Sequence, residues 1–224
     1  MRRTTGALAV ITFILALMTT SAHALSIRLT DGGANTVTIA DNGVGDINPM
    51  TGAVTYLGSI GAYIANVTTG FSYPILGTPA YPRLDLGSID VSGGSDGTNK
   101  LYVYLTDTGF TGAYPGFAAS IGGTSSGTVK YSTYFDAGNI PFAMDTLLTE
   151  ELYSGPIFSD INTAAAVGLD VPYSLTEALE ITHTGFGATS FNAELAPVPE
   201  PGTFLLLGTG LMGLAIYGRR RARG

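Results

Sequence analysis

The strongest constraint on the fold of this chain is a two-residue alternation of apolar and polar side chains, repeated in short runs and broken each time by glycine. In Leu101-Tyr102-Val103-Tyr104-Leu105 the three aliphatic residues fall on one face and the two tyrosines on the other. Leu25-Ser26-Ile27-Arg28-Leu29, Thr36-Val37-Thr38-Ile39, Val129 to Phe135 and Leu179-Glu180-Ile181-Thr182 repeat the pattern. Successive residues of a strand point to opposite sides, so this period buries one face and wets the other. The runs end in Asp31-Gly32-Gly33, Asp41-Asn42-Gly43, Ser92-Gly93-Gly94, Gly122-Gly123 and Gly185-Phe186-Gly187, which carry the chemistry of tight turns. The expectation is an all-β body, an antiparallel β-sandwich of jelly-roll or Ig-like kind. One stretch, Phe142 to Leu152, with Met144, Leu147, Leu148, Glu150 and Glu151, is read as helical instead.

Two segments of different character frame this body. Arg2 and Arg3 precede an apolar run from Ala7 to Met18, and Ala22 and Ala24 supply the small residues a signal peptidase requires. Residues 1–24 therefore read as a signal peptide, forming a signal helix and cleaved after Ala24. The apolar run is short for a permanent membrane span. At the other end come Pro197-Val198-Pro199-Glu200-Pro201, an uncharged segment from Gly202 to Gly218, then Arg219, Arg220, Arg221 and Arg223. Seventeen helical residues reach about 25 Å, the short end of what spans a bilayer. The arginines would stay cytoplasmic, which agrees with a body already exported. The division is thus 1–24 signal peptide, 25–196 β-sandwich body and 197–224 tail with a transmembrane helix.

Val198-Pro199-Glu200-Pro201, the apolar helix and the arginine cluster together resemble the PEP-CTERM sorting signal. The stretch from Tyr173 to Phe191 also resembles, more loosely, the end of the body in such proteins. The resemblance implies export through the secretion machinery and signal peptidase. It further implies recognition by an exosortase, a membrane-embedded cysteine-protease-like enzyme, at the Pro-Glu-Pro motif. The protein would then sit transiently in the inner membrane and pass to the cell surface or extracellular matrix of a Gram-negative bacterium that makes polysaccharide.

Charge separates along the chain. Between residues 25 and 196 four basic residues face sixteen acidic ones, a balance of −12. Phosphate backbones would be repelled, so a nucleic-acid partner is not expected. The chain has no cysteine, which removes disulfides, thiolate metal sites and cysteine nucleophiles. Once the signal is removed His183 is the remaining histidine, too few for a zinc shell, and it reads as a satisfied strand residue. Asp107-Thr108-Gly109 has the sequence of an aspartic-protease loop. That chemistry needs two carboxylates sharing a proton, and one copy reads as a hairpin turn.

Two binding chemistries remain. Asp41 and Asp46, with Asn42 and Asn48 on a glycine-rich loop, are candidate calcium ligands; Asp90, Asp96 and Asn99 form a second group. Tyr102 and Tyr104 are candidate platform residues for extracellular polysaccharide in a chain that has no tryptophan. No other cofactor is indicated. The sequence reading is therefore a non-enzymatic exported surface or matrix protein. Its alternatives are a carbohydrate- or calcium-binding adhesive module and a hydrolase using paired carboxylates.

Overall fold

The computed structural model describes residues 25–94, 97, 99–165, 172–198, 207 and 209–212. The signal peptide with Ala22 and Ala24, and Pro199, Glu200, Pro201, Arg219, Arg220, Arg221 and Arg223 of the tail, lie outside the described residues. The strands are β1 (Ser26–Thr30), β2 (Thr36–Ala40), β3 (Ala53–Ile60), β4 (Tyr63–Phe71), β5 (Leu84–Gly93) and β6 (Lys100–Phe110). They continue with β7 (Gly116–Ser125), β8 (Thr128–Asp136), β9 (Thr146–Tyr153), β10 (Ile157–Ala165), β11 (Tyr173–Thr182) and β12 (Gly187–Pro197). They form two antiparallel sheets, β2-β1-β6-β11-β8-β9 and β10-β7-β12-β5-β4-β3.

This order decides between the two expected sandwiches. Counted from β5, the eight strands β5–β12 run 2-7-4-5 in the first sheet and 6-3-8-1 in the second, which is a jelly roll. The strands β1 and β2 prolong the first sheet beyond β6, and β4 and β3 prolong the second beyond β5.

The alternation read from the sequence places the core. Leu101, Val103 and Leu105 of β6 are fully buried, facing the second sheet, and Ile27, Leu29, Leu179 and Ile181 join them. At Gly70 of β4 the sheets leave no room for a methyl group: an added Cβ would run into the Leu105 side chain of β6. Glu177 of β11 also points inward, fully buried, and accepts a 2.5 Å hydrogen bond from Tyr131 of β8. His183 is buried as expected, with Nδ1 2.8 Å from the Gly93 carbonyl and Nε2 2.7 Å from Thr189 Oγ1.

Two local expectations are corrected. The stretch Phe142 to Leu152 is a loop running into β9, which pairs with β8 from Phe135↔Thr146 to Val129↔Tyr153. Its leucines and glutamates favour helix, but Leu148 packs on the core from an edge strand and β8 fixes the backbone. Asp107-Thr108-Gly109 is no hairpin turn, because β6 continues to Phe110. The partner β11 steps from Tyr173 to Leu175 while β6 steps from Phe110 to Asp107, a bulge that Gly109 absorbs at φ +80°. Positive φ marks a bulge as readily as a turn.

Every pair being antiparallel, the connections gather at two ends. Loops 41–52, 72–83, 111–115 and 137–145 lie at the end where β12 finishes and the tail departs. Short loops such as 61–62 and 126–127 lie at the other. Among the described residues no helix is long and apolar enough to cross a membrane. Of the expected membrane helix, residues 207 and 209–212 are described, and they are helical.

Candidate functional site

The outer face of the first sheet gathers the polar halves of the alternating runs. Register aligns Thr38, Arg28, Tyr104, Ala178, Ser132 and Glu150 in one row across the strands. The next row is Thr36, Thr30, Tyr102, Glu180, Lys130 and Leu152. Tyr102 and Tyr104, two residues apart on β6, hold their rings near-parallel, 7° between planes and 6.4 Å between centroids. The two tyrosines named from the sequence thus form one aromatic surface at the middle of the sheet.

Hollows flank the pair. Toward β8 lies a cleft of about 100 Å³ bounded by Tyr102, Tyr104, Lys130, Ser132 and Tyr134. Toward β2 lies a wider hollow of about 510 Å³ bounded by Arg28, Thr30, Thr36, Tyr104 and Phe142. The loop 137–145 closes one side of both, with Met144 lining each. Phe142 adopts φ +60°, donates its N–H to Thr106 Oγ1 at 3.1 Å and lies under the Arg28 guanidinium, 3.9 Å from the ring centre. Together the hollows make a trough across the strands, with hydrogen-bonding groups along both sides.

Charge is arranged in pairs along this trough. Lys130 Nζ sits 2.9 Å from Glu150 Oε2, which also accepts from Ser132 Oγ at 3.2 Å. Lys100 donates to Glu180 at 2.5 Å. These bonds hold Lys130 and Lys100 above the ordinary lysine value and Glu150 below the ordinary carboxylate one. Burial, then the neighbouring Tyr102, pushes the Tyr104 phenol upward, so it remains a neutral donor. Neutral aromatic area with paired charges and threonine hydroxyls suits a polar, uncharged ligand that has apolar faces.

Register decided most of this. Tyr134 belongs to an alternating run and was legible as outward-facing. Lys130, Glu180 and Arg28 join the tyrosines by strand pairing, and Phe142 by a loop fold-back that no local pattern announces.

The outer face of the second sheet carries the nearest counterpart to paired carboxylates. Asp85 of β5 and Glu194 of β12 are cross-strand partners. Glu194 is ion-paired with Arg83, whose Nε donates to Oε1 at 2.7 Å. Asp85 is pushed up to about 6, by burial first and then by Glu194, with Arg83 opposing. One carboxyl thereby keeps its proton to a higher pH than an ordinary carboxylate, beside a second that is paired with Arg83.

The two aspartates proposed for calcium share loop 41–52. Asp46 Oδ1 accepts from the Asn48 and Thr55 N–H groups, both at 2.9 Å, and Oδ2 from the Asn42 N–H at 2.9 Å. Asp41 Oδ2 accepts from the Gly52 N–H at 2.7 Å. Both carboxylates brace the loop. Asp90 lies on β5, while Asp96 is outside the described residues. Among the described residues no group of three or more His, Cys, Asp or Glu is placed to hold a metal. Of the tail motif, Val198 is described, and its N–H donates to the Gly116 carbonyl at 2.9 Å.

Residues 197–221 match the PEP-CTERM protein-sorting motif. The chain thus carries the mark of an exported protein sorted at the membrane. No curated protein matches this chain in sequence. Among solved structures it is similar to the C-terminal family 6 carbohydrate-binding module of a marine laminarinase from Zobellia galactanivorans, at 13% identity and TM-score 0.27, over 47% of this chain and 78% of that one. The N-terminal cellulose-binding domain of a Cellulomonas fimi β-1,4-glucanase overlaps at 12% identity and TM-score 0.32, over 51% of this chain and 80% of that one. An adhesin domain of the Lys-gingipain of Porphyromonas gingivalis overlaps at 15% identity and TM-score 0.31, over 48% of this chain and 72% of that one. At this level of superposition these similarities bear on no ligand or activity.

Proposed function

We propose that the body is the polysaccharide-binding part of an exported, non-enzymatic surface or matrix protein, and that the trough on the first sheet is its binding face. The observation that carries this is the near-parallel Tyr102–Tyr104 pair set between two hollows lined by hydroxyls and paired charges. A pyranose ring has apolar C–H faces and an equator of hydroxyls. The faces lie on tyrosine rings, while Thr30, Thr36, Ser132 and the lysine–glutamate pairs serve the hydroxyls. The two hollows lie side by side across the strands and share Tyr104 and Met144, an arrangement that suits a chain of sugars better than a single one.

In this reading the tail holds the protein at the inner membrane until an exosortase-class protease parts it at Pro199-Glu200-Pro201. The body then moves to the polysaccharide-bearing surface. Retardation in gels containing neutral polysaccharides tests the binding. The intact protein should be slowed by at least one such polymer, and Tyr102→Ala with Tyr104→Ala should abolish the effect while the fold persists. Equal migration of both proteins in every polymer would sink the reading. For the tail, replacing Pro199, Glu200 and Pro201 by alanine should leave an unprocessed mass in the producing cell; an unchanged mature mass would mean the motif is not read there.

A further inference from the structure

We infer that the end of the sandwich from which the tail departs is a lipid-contacting surface, and that its loops rest on a zwitterionic bilayer while the tail is inserted. This rests on tail insertion, which belongs to the proposed function above.

The first observation is the asymmetry of exposed apolar residues. Among the described residues, eight large apolar side chains exposed to solvent lie in loops, and seven of them are at the tail end. Val44 is fully exposed at the tip of loop 41–52, with Ile47 and Met50 beside it; Ile75 and Tyr81 project from loop 72–83, and Ile140 from loop 137–145. Phe186 is the one at the opposite end. Single exposed apolar residues are ordinary, and others stand on outer strands, Ile157 and Ile161 of β10 among them; those in loops gather at one end, as a membrane-facing surface requires.

The second observation is that three of the four loops at this end, 41–52, 72–83 and 111–115, form one braced layer. Ser72 N–H donates to the Gly52 carbonyl at 3.0 Å, joining loop 72–83 to loop 41–52. Thr111 N–H donates to the Pro79 carbonyl at 2.7 Å, and Tyr114 Oη to the Ala80 carbonyl at 2.5 Å, joining loop 111–115 to the same layer. Asp41 and Asp46, spent on backbone N–H groups, hold Val44 outward. Ordering apolar side chains in solvent brings no gain unless something covers them.

The third observation is the length of the tether. Val198 is still hydrogen-bonded to Gly116 at the end of β12, and the uncharged segment begins at Gly202. The intervening chain spans about 14 Å when fully extended. The headgroup layer on one side of a bilayer is about 5–8 Å deep. A tail inserted from Gly202 onward therefore holds this end of the body against the headgroups. The acidic body, at −12, is repelled by anionic lipid, so the surface it fits is zwitterionic.

The chain contains no cysteine, so single labelling sites are clean. The full chain carrying Val44→Cys, Ile75→Cys, Phe186→Cys or Leu211→Cys, each bearing an environment-sensitive fluorophore, is reconstituted in phosphatidylcholine vesicles with nitroxide-labelled lipid. Labels at 44 and 75 should be quenched at least twofold more than the label at 186, and less so when phosphatidylglycerol is added. Quenching at 211 with 44 and 75 matching 186 would overturn the lipid contact while leaving tail insertion standing, and would point to a protein covering this end instead. No quenching at 211 would remove the tether and with it both readings.

Discussion

The Tyr131 phenol donates to Glu177 Oε1 at 2.5 Å between the two sheets, where both side chains are buried. The other carboxyl oxygen, Oε2, has no hydrogen-bond partner. Burial pushes the Glu177 carboxyl well above its ordinary value, and the Tyr131 hydrogen bond only partly opposes this. An acid raised in the folded state binds its proton more tightly there than in the unfolded chain. Its contribution is therefore most favourable below the unfolded value and is lost as pH rises toward the folded one. Glu177→Gln removes the ionisation and keeps the shape. Thermal melts should show the variant several degrees more stable than the parent at pH 7.5, with the difference vanishing near pH 4. Equal offsets at both pH values would refute a buried neutral acid.

Asp85 acts in the same direction from the second sheet. Its value of about 6 means that stability from this group declines as pH climbs from about 4 through 6. Carbon-detected NMR titration of the Asp85 carboxyl should inflect near pH 6. Arg83→Met, which removes the opposing cation, should move that inflection higher. An unchanged inflection in the variant would show that Arg83 does not act on Asp85.

Gly70 is required by the gap between the sheets. Gly70→Ala places a methyl against Leu105 and should cost about 1–3 kcal/mol in denaturant unfolding. Leu105→Ala costs more by itself, through the cavity it leaves. Combined, the two changes should cost less than their sum, since Leu105→Ala vacates the space that the added methyl at position 70 takes up. Strict additivity would mean that the two residues do not meet.

Asp46 stiffens loop 41–52 through three backbone N–H groups. Asp46→Ala should cost about 2 kcal/mol and open the loop to limited proteolysis. Chelation of divalent cations should leave the melting temperature of the parent where it was. A fall on chelation, restored by calcium, would instead make Asp41 and Asp46 metal ligands.

Much of the body was legible because side-chain alternation and burial are the same fact in a sandwich. The order of five residues alone puts Leu101, Val103 and Leu105 on the core side and Tyr102 and Tyr104 on the other. Asp107-Thr108-Gly109, expected as a hairpin turn, and Phe142 to Leu152, expected as helix, depart from expectation for one reason. Local preference there is overridden by a neighbouring strand, β11 in the first case and β8 in the second.

The sequence by itself determined the alternating strands and their glycine breaks, the acidic body and the sorting motif at the tail. These depend on neighbours along the chain, so they are written there. The tertiary structure alone decided that the strands close as a jelly roll and that Lys130, Glu180 and Arg28 meet the two tyrosines. It also decided that the apolar loops share the end from which the tail leaves. Those relations join residues tens of positions apart through antiparallel register, and register is fixed only when both sheets bury their faces together.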